Sequence, residues 1–515
     1  MKTVRLSALF LVLLVFAGTW SCTKTPDPAP VAKNSDNTVA TFAFNGLNPA
    51  VNATISGNNI TATVPVGTNL TNLVPTISIP ATATISPASG TAQNFSGPVT
   101  YTVKAQDGST QAYTVTVSIQ GVSIVSFAPT TGGAGTLVVI NGVGFSGVST
   151  ENKVTINGAN ANITASSPTQ ITVQIPDRAG AGNLVVAVGA KQATSASAFN
   201  YQYQLGSNTT VFTTSLGRLF QSIATDPDDG TIYASDRANS AVVIIRPNGA
   251  SQSISLRDEL NVIHASMTGI SIIKTGVSGI DNKMMVVTNE AKGVYYYSLG
   301  AFSTTTSILR GDVFQATTDV YKNPTAIVGV SQSPTVIRPL NGTYYMACFG
   351  NSSIVRSTRL NGVTQSPSIV GSGAGFNAGS VPTTNAKFNG VVGIFLKNNL
   401  LYVADEGNHA IRVVDYNAGT VNTLIGNGTA GNVDGAVGAV RLNLPSNVVV
   451  DNAGLVYVTD RGNGKLRVYD PRSQTSQTLL SGLNAPYGLT IDNNGTLYLG
   501  EWGQGTNRIL KLTVK

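Results

Sequence analysis

Two stretches of this chain place a carboxylate, an asparagine and, in one case, an imidazole within five residues. Leu400–Asp415 reads LLYVADEGNHAIRVVD, and Leu455–Asp470 reads LVYVTDRGNGKLRVYD. Asp405, Asn408 and His409 are the residue types that bind a metal or relay a proton, since a carboxylate can orient an imidazole and both can act as ligands. The recurrence of Asp-x-Gly-Asn at 460–463 argues against that reading. A catalytic group need exist only once, whereas a residue that turns a repeated scaffold must recur with each turn.

The recurrence extends along the last three hundred residues. A template of aliphatic, Tyr, two residues, then an acid fits Tyr233 and Asp236, Tyr402 and Asp405, Tyr457 and Asp460, and Tyr498 and Glu501. Asn239, Asn408 and Asn463 follow three residues after their Asp. Asp and Asn suit a strand-ending turn because their side chains bond to nearby backbone and tolerate left-handed conformations. We read them as framework. DPDDG (226–230) occupies the slot of DNAG (451–454) and DNNG (492–495) and lacks the later Glu of a calcium loop, so it reads as a hairpin turn. Cys348, in the apolar run YYMACF, takes the acidic slot of another copy and reads as a small buried hydrophobe rather than a nucleophile.

The elements that position these residues follow from composition. Of 515 residues only 11% are charged and 54 are Gly, with Thr, Ser, Val and Asn abundant. That favours strands and tight turns, and the chain is expected to be all-β. Its length allows about three domains. The net charge of +7 becomes +5 without Lys2 and Arg5, and the basic residues are scattered, so no nucleic-acid partner is expected. Lys2, Arg5 and the apolar run LSALFLVLLVFAG (6–18) form a targeting segment too short to span a membrane as a mature helix.

That segment ends at TWSC followed by TKTPDPAP and resembles a bacterial lipoprotein signal, although Trp20 departs from the usual pattern. The resemblance implies cleavage of residues 1–21, acylation of Cys22 and a membrane as partner. Cys348 is the only other cysteine, so an acylated Cys22 leaves no intramolecular disulfide. Residues 22–38, with Pro26, Pro28 and Pro30, are expected to be a flexible stalk. Period-two segments at 59–65, 99–105 and 112–119 predict a β-sandwich over 39–120, and the run 85–117 resembles a cadherin-like or Ig-like module of Gram-negative surface lipoproteins. Residues 121–204, with VSIVSFAPTTGGAGTLVVINGVGF (122–145), are similar to IPT/TIG domains. There the glycines of GVGF relieve strain at a corner; no G-K-[ST] follows to make a phosphate loop.

From 205 to 515 the period is roughly 40 to 60 residues, the size of a propeller blade. Six copies, near 217–249, 268–300, 322–362, 388–428, 442–482 and 483–512, resemble NHL repeats, most closely at 444–470 and 485–502. The fold expected is two tandem β-sandwiches followed by a six-bladed β-propeller. The last copy lacks an outer strand, and NTTVFTTSLG (208–217) is expected to supply it and leave no open edge.

If the repeated residues hold the scaffold, the slot after the acid is free for ligand. It contains Arg237, Glu290, Phe349, Glu406, Arg461 and Trp502, expected on one rim around the central channel. Gln221, Ser446 and Tyr487, at the starts of inner strands, are expected to face the same way. Trp502 and Tyr487 are placed to stack on a sugar while Arg and Glu bond its hydroxyls; the bland alternative is a solvated surface. Propellers of this kind include lyases and hydrolases, but His264 and His409 are too few for a His-rich metal centre, and no G-x-S-x-G elbow is present. A dispersed Ser-His-Asp set or two separated carboxylates leaves a lyase or glycoside hydrolase as the lesser alternative. No catalytic residue, metal or cofactor is assigned. The resemblance implies a monomeric, lipid-anchored protein of the cell envelope, at the outer membrane, that binds an extracellular glycan; a protein–protein scaffold is the runner-up.

Overall fold

A computed structural model describes residues 31–214, 219–255, 267–274, 283–289, 293–298, 314–315, 324–331, 342–360, 363–505 and 507–515. The targeting segment, Cys22, His264 and Glu290 lie outside the described residues. The chain divides into two compact units at Gln120/Gly121.

In the first unit a five-stranded and a three-stranded sheet face each other. Strands such as Asn59–Val64 alternate exposed and buried along their length, as a sheet with one wet face requires. Phe42, Phe44, Phe95 and Tyr101 fill the space between the sheets in edge-to-face contacts, with ring centroids 5.4 to 6.5 Å apart. The end of the expected stalk differs from a free linker. Asn34 accepts the backbone N–H of Asp107 at 3.1 Å and donates its own to Gln106 Oε1 at 3.1 Å. The Tyr113 hydroxyl donates to Asn37 O at 3.3 Å. Polar side chains of a tight turn thus hold residues 34–37.

The second unit opens with another sandwich, whose sheets are built on Leu137–Val143 and Gly182–Val188. The GVGF corner behaves as read: a Cβ on Gly142 would collide with Ser123 O and the Phe145 ring. This sandwich is bonded to the later strands of the same unit. The Tyr203 hydroxyl donates to Asp470 Oδ2 at 2.7 Å, and Gln477 bonds both Tyr203 N and Tyr201 O. Arg178 Nε reaches Val514 O at 3.0 Å.

Beyond the sandwich come six sheets of four or five strands among the described residues. Their inner strands are Phe220–Thr225, Met267–Lys274, Pro324–Ser331, Val391–Lys397, Pro445–Val450 and Pro486–Ile491, here blades 1 to 6. Each inner strand packs on the next, and the sixth returns to the first, so the ring is closed. Closure uses the strand expected for it. Leu205–Thr214 pairs antiparallel with Asn507–Val514 as the outermost strand of blade 6. Blade strands such as Val456–Asp460 are buried throughout rather than alternately, because each blade is covered on both faces by its neighbours. That difference in wetting separates the continuous apolar runs of the propeller from the alternating runs of the sandwiches.

Candidate functional site

The repeated acid ends the second strand of its blade and is fully buried. Asp405 accepts the backbone N–H of Asn389 at 2.7 Å, Asn408 Nδ2 at 2.9 Å and Arg412 Nη1 at 3.2 Å. Asp460 repeats the set with Asn443 N at 2.7 Å, Asn463 Nδ2 at 2.8 Å and Arg467 Nε at 2.7 Å. Glu501 accepts Asn484 N at 3.0 Å and both Arg508 Nε and Nη2. One carboxylate therefore joins the loop entering the inner strand to the second and third strands of the same blade. Asp236 shares the asparagine part of it, accepting Asn239 N and Nδ2. The arginines seven residues after the acid escaped the sequence reading, although Arg412, Arg467 and Arg508 recur in register. Burial pushes the Asp405 carboxyl up and the Arg412 guanidinium down, each opposed by the other's charge.

The intervening glycine is also framework. At Gly407 and Gly462 a Cβ would run into Asn389 and Asn443, whose carbonyls accept the glycine N–H. The residue after Asn is left-handed: His409 has φ 50° and Ser352 φ 48°. His409 thus serves the turn, its Nδ1 accepting Leu444 N–H at 3.1 Å. Cys348 is wholly buried and its thiol is pushed up to about 12 by that burial, which disfavours a thiolate nucleophile.

The slot after the acid forms an arc across successive blades. Phe349 of blade 3, 44% exposed, packs over Gly390, whose carbonyl accepts Glu406 N–H. Glu406 of blade 4 pairs with Arg461 of blade 5. Arg461 lies 5.6 Å from the Tyr487 ring centre and 6.0 Å from that of Trp502. Tyr487 and Trp502 of blade 6 meet edge-to-face at 4.5 Å, and Arg237 of blade 1 lies 5.9 Å from the indole centre. Gln221 and Arg237 both donate their backbone N–H to Leu219 O. Glu290, the blade 2 member, is outside the described residues. Burial raises the Glu406 carboxyl, with Arg461 opposing.

Three expected contact residues are placed differently. Ser446 is fully buried, its Oγ within 2.9 Å of Thr459 Oγ1 and donating to Pro486 O at 2.9 Å, so it joins blades 5 and 6 instead of facing a ligand. Gln221 and Tyr487 are only 3% and 5% exposed. The start of an inner strand is covered by adjacent blades, which draws these side chains in. Three buried polar atoms of the arc have no hydrogen-bond partner among the described residues: Gln221 Oε1, Arg461 Nε and Trp502 Nε1. Toward the other ends of the inner strands lies a cavity of about 210 Å³ with a mixed lining that includes Ile270, Ile327 and Leu489 beside Ser271, Asn447 and Thr490. Among the described residues no group of three or more His, Cys, Asp or Glu could hold a metal.

The buried acid and the turn histidine each carry an expected outcome. Asp460→Ala leaves buried Arg467 with only the half-exposed Asp434 as carboxylate partner and Asn443 N–H without its acceptor; it should lower the unfolding free energy by about 3–5 kcal/mol in urea titration, against about 1 kcal/mol if the acid were a mere turn former. His409 is held below its ordinary 6.5 by burial, with Asp460 opposing. The folded protein therefore binds the proton less readily than the unfolded chain. The stability from the Leu444 bond is complete above the unfolded value and is lost as pH falls through the folded one. The melting temperature should fall between about pH 7 and about pH 5. That fall should be smaller in His409→Asn, which tolerates the left-handed turn; equal slopes would remove His409 as the cause.

Comparison with known proteins matches residues 39–117 to the family described as SGBP, N-terminal, residues 122–203 to the IPT/TIG domain and residues 442–469 to the NHL repeat. The NHL repeat-containing protein 2 of Bos taurus is 40% identical over 81 residues, 15% of this chain and 11% of that protein. The chain thus spans about a tenth of that relative's length. An auxiliary nutrient binding protein from Bacteroides thetaiotaomicron is similar at 16% identity and TM-score 0.41, covering 77% of this chain and 98% of that one. A streptogramin B lyase is similar at 11% identity and TM-score 0.38, covering 59% and 98%. The chain thus joins a segment that matches the SGBP N-terminal family and one that matches the IPT/TIG domain to a closed ring of six sheets, of which one carries the NHL-repeat match.

Proposed function

We propose that this chain is an envelope lipoprotein, anchored through acylated Cys22 at the outer membrane, whose propeller binds an extracellular glycan at the rim. In this reading residues 1–21 are removed, 22–38 form the tether, 39–120 and 121–204 are spacer sandwiches, and 205–515 carry the site as a monomer. The observation that carries it is the arc itself. Exposed Phe349 stands beside a cluster in which Glu406 pairs with Arg461, and Arg461 and Arg237 both lie against the Trp502 ring. An exposed aromatic side chain beside paired charges on unrepeated positions of a repeated scaffold is the mixture of groups a sugar-binding surface uses. The SGBP N-terminal match and the lipoprotein-like start at Cys22 support the envelope setting.

A glycan array with the lipid-free protein should show binding that Trp502→Ala and Phe349→Ala weaken about tenfold or more. Undiminished binding in both variants would move the site elsewhere, and no sugar bound would favour a protein partner. Anchoring is tested separately. Cys22→Ser should shift the protein from the membrane fraction to the soluble one, since the acyl chains supply the attachment; retention in the membrane would refute it.

A further inference from the structure

We propose that the IPT/TIG sandwich is the clasp of the propeller: docked on blades 5 and 6, it holds the closing strand Leu205–Thr214 in place and so keeps the ring shut. This goes beyond a spacing role and does not depend on what the rim binds. The closing strand does little to hold itself. It is the outermost strand of blade 6, paired along one edge, and of its ten residues only Thr214 is buried. Its register also slips twice, between Leu205 and Ser207 and between Thr210 and Phe212. A strand that hides so little apolar surface is weakly fixed by its own burial.

The sandwich supplies what the strand lacks. Its last strand, Lys191–Tyr201, leads into the closing strand through residues 202–204, and each of these is bonded. Gln202 donates its N–H to Gly132 O of the sandwich at 2.8 Å, and Tyr203 donates its own to Gln477 Oε1 of blade 5 at 3.0 Å. Gln204 exchanges backbone bonds with Lys515 at 3.1 and 2.8 Å. The connection therefore has no slack. Beside it docks the sandwich loop 176–180. Arg178, left-handed at φ 55°, donates its N–H to the Tyr201 hydroxyl at 2.9 Å. Its guanidinium reaches Val514 O and Gly495 O of blade 6 at 3.0 and 3.4 Å, and Asp451 of blade 5 at 3.5 Å. Gly180 comes so close that a Cβ there would stand 2.5 Å from Asp470 Oδ2. The Tyr203 hydroxyl, donating to buried Asp470 and accepting from Arg472 Nη2 at 3.2 Å, completes the seam. Docking at this seam confines the start of the closing strand beside Asn507–Val514 and raises its effective concentration there, as a short linker does for a second binding event.

Hydrogen exchange on the lipid-free protein tests the clasp. Arg178→Gly removes the guanidinium and keeps the left-handed turn, Tyr203→Phe removes the hydroxyl and keeps the ring, and the two are also combined. Asn452→Ala is the control, cutting a bond from blade 5 to Asn493 O of blade 6 without touching the sandwich. The paired amides of Leu205–Thr214 should exchange roughly tenfold faster in the double variant and several-fold faster in each single one, while Leu137–Val143 and Val456–Asp460 keep their rates. Asn452→Ala should leave Leu205–Thr214 unchanged. Unchanged exchange at Leu205–Thr214 in the seam variants would overturn the clasp. Equal acceleration in Leu137–Val143 would also overturn it, because the substitutions would then have loosened the sandwich as a whole. The same acceleration in Asn452→Ala would place closure in the contacts between blades instead. Should the double variant not fold, Tyr203→Phe alone decides, by the same comparison.

Discussion

A carboxylate sealed inside each of three blades sets the terms for the propeller. Asp405, Asp460 and Glu501 each bind the backbone of the loop that enters the inner strand and an arginine seven residues onward. Pulling the loop or the arginine away from such a set leaves a wholly buried carboxylate short of its donors, so the register of strands within the blade is enforced by a steep penalty. The glycine two residues after the acid follows from the same constraint, since the asparagine loop passes too close for a side chain at Gly407 or Gly462.

Once the acid, glycine and asparagine are committed to framework, the residue between acid and glycine is free to vary. It is held at a fixed place by its neighbours and points toward the adjoining blade. Ring closure turns that single slot into a continuous arc. Residues 55 apart in the chain, Glu406 and Arg461, become partners, and Arg237 meets Trp502 because Leu205–Thr214 joins the first blade's lead-in to the last strand. A repeated scaffold thus presents unrepeated chemistry, with aromatic, cationic and acidic groups side by side.

The turn template was legible in the sequence because the same residues recur at the same spacing, and the closing strand was legible because the last copy is one strand short. The arginine of the buried set was not. In AIRVVD and KLRVYD it sits inside an apolar strand, and only the folded blade shows that its head group reaches back to the acid. The rim slot was legible as a variable position, and its members did come together where described. The inner-strand residues depart from expectation for a packing reason: blades cover each other on both faces, so Ser446 bonds the neighbouring blade and Gln221 and Tyr487 are drawn in. The guanidiniums of Arg237 and Arg461 gather about Trp502 only because blades 5, 6 and 1 adjoin, which no local pattern in the sequence announces.

The division between framework and open rim is tested most directly by hydrogen exchange on the lipid-free protein with and without a bound oligosaccharide. The account predicts uniformly slow exchange in the second strands of blades 4 to 6 in either state, with added protection on binding confined to the rim segments at 219–222, 461–464 and 502–505. Ligand-induced protection centred on the cavity between the inner strands, or rapid exchange at Leu205–Thr214 when the other blades are protected, would contradict it.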